Sequence, residues 1–186
     1  AADMLALAAI ILSHESFEHD STHGGVAPRS WFLNLETLFE RAVRATMRTA
    51  LGSRGVVSSG RSAPLPIFPP KVDVFRANPD LVVRRSDTAE VFIGDVKYKQ
   101  WGGVPVASDV YQLLVHAAAF GARKAFLVFP FDAFDARTIG DAVTGAAVKT
   151  YGVDVRELDA QVDQLLNDLG VVPALGVVAP LGSRNG

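Results

Sequence analysis

The chain contains no cysteine, which excludes disulfides and thiolate metal sites and fits a reducing compartment, so a cytoplasmic location is expected. It has no glycine-rich phosphate-binding loop and no internal repeat, which sets aside nucleotide binding by this chain and solenoid architectures. A membrane-length apolar run is also missing. Ala1 to Leu12 is strongly apolar, yet it is too short to span a bilayer and lacks the basic flank of a signal peptide. Nor is there an excess of positive charge: 18 Lys and Arg stand against 20 Asp and Glu, a net charge of -2. Any contact with nucleic acid must therefore come from a local patch or a partner.

What is present is a chain of 186 residues, 49% of them apolar, enough for one sizeable core. A single domain is expected over residues 1–170, followed by a partly disordered tail at 171–186. The chain opens on Ala1 directly in a helical pattern, as expected of the C-terminal part of something longer.

The most informative stretch is Asn78-Pro79-Asp80-Leu81-Val82-Val83-Arg84, a short polar turn, and Val91-Phe92-Ile93-Gly94-Asp95-Val96-Lys97-Tyr98-Lys99. Two β-branched runs around Arg85 to Glu90 read as a β-hairpin. With the turn centred between Asp87 and Thr88, Arg84 faces Val91, Val82 faces Ile93 and Asp80 faces Asp95. Alternation puts Val91, Ile93, Asp95 and Lys97 on one face with Asp80, and Phe92, Val96 and Tyr98 on the other. Like charges directly opposite each other destabilise a sheet, so a cation is expected between the two aspartates. A divalent metal with oxygen ligands would serve, with Lys97 beside it; a solvated strand end is the alternative.

Elsewhere the pattern predicts a helix at 3–18. His14, His19 and His23 lack the i, i+4 pair a zinc protease helix needs, so they read as a helix end and loop. The strongest helix runs from Ser30 to Leu51, with Leu35, Leu38, Phe39, Ala42, Val43, Met47 and Ala50 on one stripe. Glu40 lies at its edge one turn after Glu36, and like charges at this spacing repel, so a cation from elsewhere should hold one of them. Arg41, Arg44 and Arg48 line the side away from the stripe, with Arg54 and Arg61 in the following loop; these and Lys99 are the candidate phosphate contacts, a plain solvated face being the alternative.

Gly52 to Pro70 reads as a loop with room for a short strand at Val56-Val57 or Leu65-Phe68, and Lys71 to Arg76 as the first strand. After the hairpin come a mobile loop at Gln100 to Ala107, a helix at Asp109 to Gly121 capped by Ser108, and a buried strand at Lys124 to Phe129. A strand at Ala146 to Val155 and a helix at Glu157 to Leu169 close the pattern.

Pro79-Asp80 followed by Asp95-Val96-Lys97 across a short hairpin resembles the signature of the PD-(D/E)XK nuclease superfamily in its Asp-X-Lys form. Phe32-Leu33-Asn34-Leu35-Glu36-Thr37-Leu38-Phe39-Glu40-Arg41-Ala42-Val43 upstream and Asp109-Val110-Tyr111-Gln112-Leu113-Leu114 downstream are more narrowly similar to the McrC nuclease subunits of modification-dependent restriction systems. The resemblance spans roughly residues 5–160. It implies an α/β fold of order αβββαβ, a mixed sheet flanked by helices, and a Mg2+-dependent DNA endonuclease in which Mn2+ also serves. Asp80, Asp95 and Glu40 would hold the metal, Lys97 would act in catalysis, and Gln112, Tyr98 and Glu36 are candidate supporting residues. Relatives carry a Gln-x3-Tyr where this chain has Gln112 and His116, so His116 is expected to be a hydrogen-bonded core histidine. The implied partners are DNA and a McrB-like AAA+ GTPase, with no membrane. A stand-alone nuclease of repair or phage defence, and a non-catalytic DNA- or partner-binding module of the same fold, remain alternatives.

Overall fold

The computed structural model describes residues 34–68 and 72–172, with the side chains of 72–74 left aside. The expected helix at 3–18, the three residues His14, His19 and His23, and all of the tail beyond residue 172 lie outside them. Helix α1 spans Leu35–Leu51; Asn34 Oδ1 caps it by accepting from the Thr37 backbone N–H at 3.0 Å. It buries Phe39, Glu40, Ala42, Val43, Met47 and Leu51, while Leu35 and Glu36 at its start remain exposed. Strand β1 (Gly55–Ser58) follows, then β2 (Leu65–Phe68), β3 (Val72–Ala77), β4 (Leu81–Arg85) and β5 (Val91–Val96). Helix α2 (Ala107–Ala119) leads to β6 (Lys124–Pro130), β7 (Asp135–Asp141), β8 (Ala147–Val153) and helix α3 (Leu158–Asp168).

The main sheet has six strands in the order β1-β4-β5-β6-β8-β7. β5, β6 and β8 run parallel in its centre, and β1, β4 and β7 pair antiparallel towards the edges. The expected mixed sheet flanked by helices is therefore present, and the β4–β5 register is the one the sequence predicts: Val82 opposite Ile93, Arg84 opposite Val91. The central strands are hydrophobic on both faces, as buried parallel strands must be. Leu81, Val83, Phe92, Val96, Phe126 and Val128 face α1 and α3, with Val171 and Val172 closing that core. Val82, Ile93, Ala125, Leu127 and Phe129 face α2.

Three elements differ from expectation. The first strand of the main sheet is Gly55–Ser58, not the 71–76 run, which pairs instead with β2 in a separate two-stranded ribbon. A short turn after α1 delivers residue 55 directly to the free side of β4, so the nearer segment takes the edge. Strand β7 was not expected because it is an edge strand, mostly solvent-exposed, and carries no apolar alternation. Helix α2 begins one residue before Ser108, with Val106 at the cap position and no side-chain cap.

Candidate functional site

The site forms where β4 begins and β5 ends. Asp80 and Asp95 come from neighbouring strand ends, one step beyond the Leu81–Gly94 pair. Asp80 Oδ2 accepts the Val96 backbone N–H at 2.9 Å, and the Asp80 N–H reaches Asp95 Oδ1 at 3.5 Å, so side chains take over where the backbone ladder stops. Both aspartates are buried, Asp95 with 1% of its surface exposed. The Lys97 N–H donates to Val128 O at 2.9 Å, which carries β5 past its last ladder pair. Its Nζ lies 2.8 Å from Asp95 Oδ2 and donates to Gln112 Oε1 of α2 at 3.0 Å. The two aspartates, Lys97 and Gln112 are thus brought together.

Burial and the neighbouring Asp95 push the Asp80 carboxyl up to about 6, against the pull of the Val96 N–H and Lys97. For Lys97, burial works against the charge, but the adjacent Asp95, with Asp109 and Asp80 adding to it, outweighs that and holds the ammonium above the usual lysine range. His116, one turn after Gln112, is buried as expected, yet its Nδ1 has no hydrogen-bond partner and lies 3.9 Å from Asp95 Oδ1. Burial lowers its pKa and favours the neutral imidazole. It is therefore not a satisfied core histidine but a polar atom turned towards the site.

Glu40 of α1 is 5% exposed and, as the Glu36 spacing implied, is held by cations. Arg44, one turn on, pairs with Glu40 Oε1 and also donates from Nε to the Asp80 carbonyl at 3.1 Å. Arg61 Nη2 stands 3.5 Å from Glu40 Oε2 and 3.7 Å from Asp80 Oδ1. Among the described residues no three His, Cys, Asp or Glu side chains are gathered closely enough to hold a metal. Asp80 and Asp95 are the pair that could do so. Their oxygens suit a hard cation such as Mg2+, which binds through one or two carboxylates and keeps its remaining waters. Asp95 Oδ2, with no aligned hydrogen bond despite the nearby Lys97, and the desolvated Asp80 carboxyl fit such a cation.

The remaining candidates lie around this centre. Glu36, Arg41 and Arg48 are exposed; Arg48 donates to Val57 O at 3.3 Å, and Arg44 is drawn inward rather than presented to solvent. Tyr98 is 45% exposed with its ring 6.0 Å from Phe39, and Lys99 pairs with the buried Asp109 at the start of α2. The loop after Lys99, expected to be mobile, is pinned to the sheet. Trp101 stacks on Phe129 at 4.5 Å and donates to Asp135 Oδ2 at 2.8 Å, and Arg137 donates to Gly103 O at 3.2 Å. Asp135 and Arg137 belong to the strand the sequence pattern did not announce. The Glu40–Arg44 contact, by contrast, is an i, i+4 pair readable in advance.

An α/β domain with two buried carboxylates and a lysine at adjacent strand ends is the class these features define. The model of the McrBC 5-methylcytosine restriction system component matches residues 2–130, and the chain belongs to that family. No curated protein matches it. It is similar to a chain of the refined half-complex from the tetradecameric assembly of Thermococcus gammatolerans McrB AAA+ hexamers with bound McrC, with a TM-score of 0.56 and 18% identity. The match covers 75% of this chain and 34% of that one, so the present chain spans about a third of its length. At this identity the likeness is one of fold.

Proposed function

We propose that the chain carries the nuclease centre of a McrBC-like restriction system, a PD-(D/E)XK endodeoxyribonuclease that uses Mg2+, with Mn2+ able to replace it. The observation that carries this reading is the convergence of Asp80, Asp95, Lys97 and Gln112, with Lys97 Nζ 2.8 Å from one aspartate and 3.0 Å from the amide oxygen. When bound by Asp80 and Asp95, a divalent cation would polarise the phosphate and lower the pKa of the attacking water. Lys97 keeps its proton and presents positive charge where charge develops on the phosphorane oxygens, while Asp95 and Gln112 fix its position. Gln112 is the link by which α2 orients the ammonium. Glu40 acts through Arg44, which braces the entry to Asp80 by donating to its carbonyl.

A McrB-like AAA+ GTPase is the proposed partner. The similar solved assembly contains McrB AAA+ hexamers with bound McrC, and a chain of net charge -2 gains from a partner that brings DNA to it. The test is plasmid nicking in Mg2+ or Mn2+, with and without the AAA+ protein, comparing the wild type with Lys97→Ala and Asp95→Ala. Nicking lost in both variants is expected. Equal nicking in all three would overturn the assignment, and full activity without the AAA+ protein would point to a nuclease that works alone.

A further inference from the structure

Two arginines share one buried carboxylate at the mouth of the site, and they are held differently. Arg44 is 16% exposed and tied to both Glu40 and the Asp80 carbonyl, so it is part of the frame. Arg61 is 64% exposed, and its contacts to Glu40 and Asp80, at 3.5 and 3.7 Å, are ion-pair distances rather than well-formed hydrogen bonds. Its side chain is free to leave. Its backbone is not. The Gly60 N–H donates to Pro79 O at 2.8 Å, and a Cβ on Gly60 would lie 2.3 Å from Pro79 Cδ. Ser59 Oγ accepts the Arg61 N–H at 3.2 Å. The turn Gly60–Ser62 is thereby locked against the residue preceding Asp80, with a loosely held guanidinium projecting over the site.

We infer that Arg61 is a phosphate-contacting residue held in reserve: without metal it lies over Glu40 and Asp80, and with the carboxylate charge neutralised it turns to a phosphate of the bound strand. The inference rests on the nuclease reading above and adds to it a movement of Arg61 coupled to the metal. With Asp80 anionic, two carboxylates attract the guanidinium; a divalent cation beside Asp80 cancels that pull and repels Arg61, leaving it only Glu40, which Arg44 already pairs. The planar fork of Arg61 then matches a phosphate, which it can grip through two N–H groups at once. Arg44 cannot make this exchange, because its groups stay committed to the Asp80 carbonyl and Glu40.

An arginine that competes with metal but helps hold DNA should move the two affinities in opposite directions when removed. The experiment measures Mn2+ binding by calorimetry and binding of a double-stranded DNA oligonucleotide in Ca2+ across a salt series, for the wild type, Arg61→Gln and Arg61→Lys. Arg61→Gln should bind Mn2+ about two- to five-fold more tightly, the scale of an exposed ion pair. Its DNA affinity should fall, with the salt slope reduced by about one. Arg61→Lys, which keeps the charge, should retain the wild-type Mn2+ affinity and salt slope. Unchanged Mn2+ affinity in Arg61→Gln, or a parallel loss of both affinities, would overturn the inference and leave the nuclease reading standing. A wild type that binds no Mn2+ would overturn both.

Discussion

At the scale of single residues, the two aspartates and Lys97 were legible because a hairpin turns sequence separation into geometry: once the turn is placed, every cross-strand neighbour follows. Arg61 and His116 were not legible in the same way, because long-range packing decides what they meet, and for Glu40 only the local pair with Arg44 was. Its place one turn after Gln112 set His116 near the site, but not that its Nδ1 would be left without a hydrogen-bond partner 3.9 Å from Asp95. These differences give two predictions. If Lys97 supplies fixed charge to the transition state, as the proposed function has it, Lys97→Ala should lower single-turnover DNA cleavage about 100- to 1,000-fold, with Mn2+ binding by calorimetry retained. Glu40 is buried and holds Arg44, so Glu40→Ala leaves that guanidinium without its carboxylate. Urea unfolding should then show a loss of about 1–3 kcal/mol. A Glu40→Ala variant as stable as the wild type would mean that the pair contributes nothing net.

At the scale of elements, strands buried on both faces were readable as continuous apolar runs, and β5 and β6 fell where expected. The edges were harder. β7 lies in solvent and carries Asp, Arg and Thr, so it offers no periodicity, and the strand expected at 71–76 forms at Val72–Ala77 in the separate ribbon because pairing partners are chosen by chain geometry. The clearest element-level constraint is Gly94 in the middle of β5. A Cβ there would sit 2.4 Å from Phe126 Cζ, so the ring of β6 occupies the space a side chain would need. Gly94→Ala should cost about 1–3 kcal/mol through overpacking, measurable as a shift in the urea midpoint at constant m-value. Because residue 94 adjoins Asp95, the same variant should also weaken Mn2+ binding. Normal stability would show that Phe126 has an alternative rotamer available.

At the scale of the whole molecule, the carboxyl end of β5 gathers the buried Asp80, Asp95 and Glu40 with Lys97, Arg44 and Arg61, and Asp80 is the carboxyl there that burial and a like charge push up. The placement has a thermodynamic consequence. Asp80 has a folded-state pKa raised from 3.8 to about 6, so between those values the folded state holds more protons than the unfolded one. Its contribution to stability is fully present below the lower value and is lost as pH rises through the upper. The metal-free protein should therefore lose part of its stability between about pH 4 and pH 6 as this group ionises. A cation that binds the ionised pair stabilises only the folded state, in proportion to its occupancy. Added Mn2+ should accordingly raise the thermal midpoint more at about pH 7.5 than at about pH 5, where Asp80 stays protonated and competes with the metal. Scanning calorimetry at both pH values, with Asp80→Asn as the control that removes the titrating group, measures the difference. The wild type should show a Mn2+-induced shift that grows with pH, and the variant little shift at either. A shift of equal size at both pH values would place the metal elsewhere than on Asp80 and Asp95.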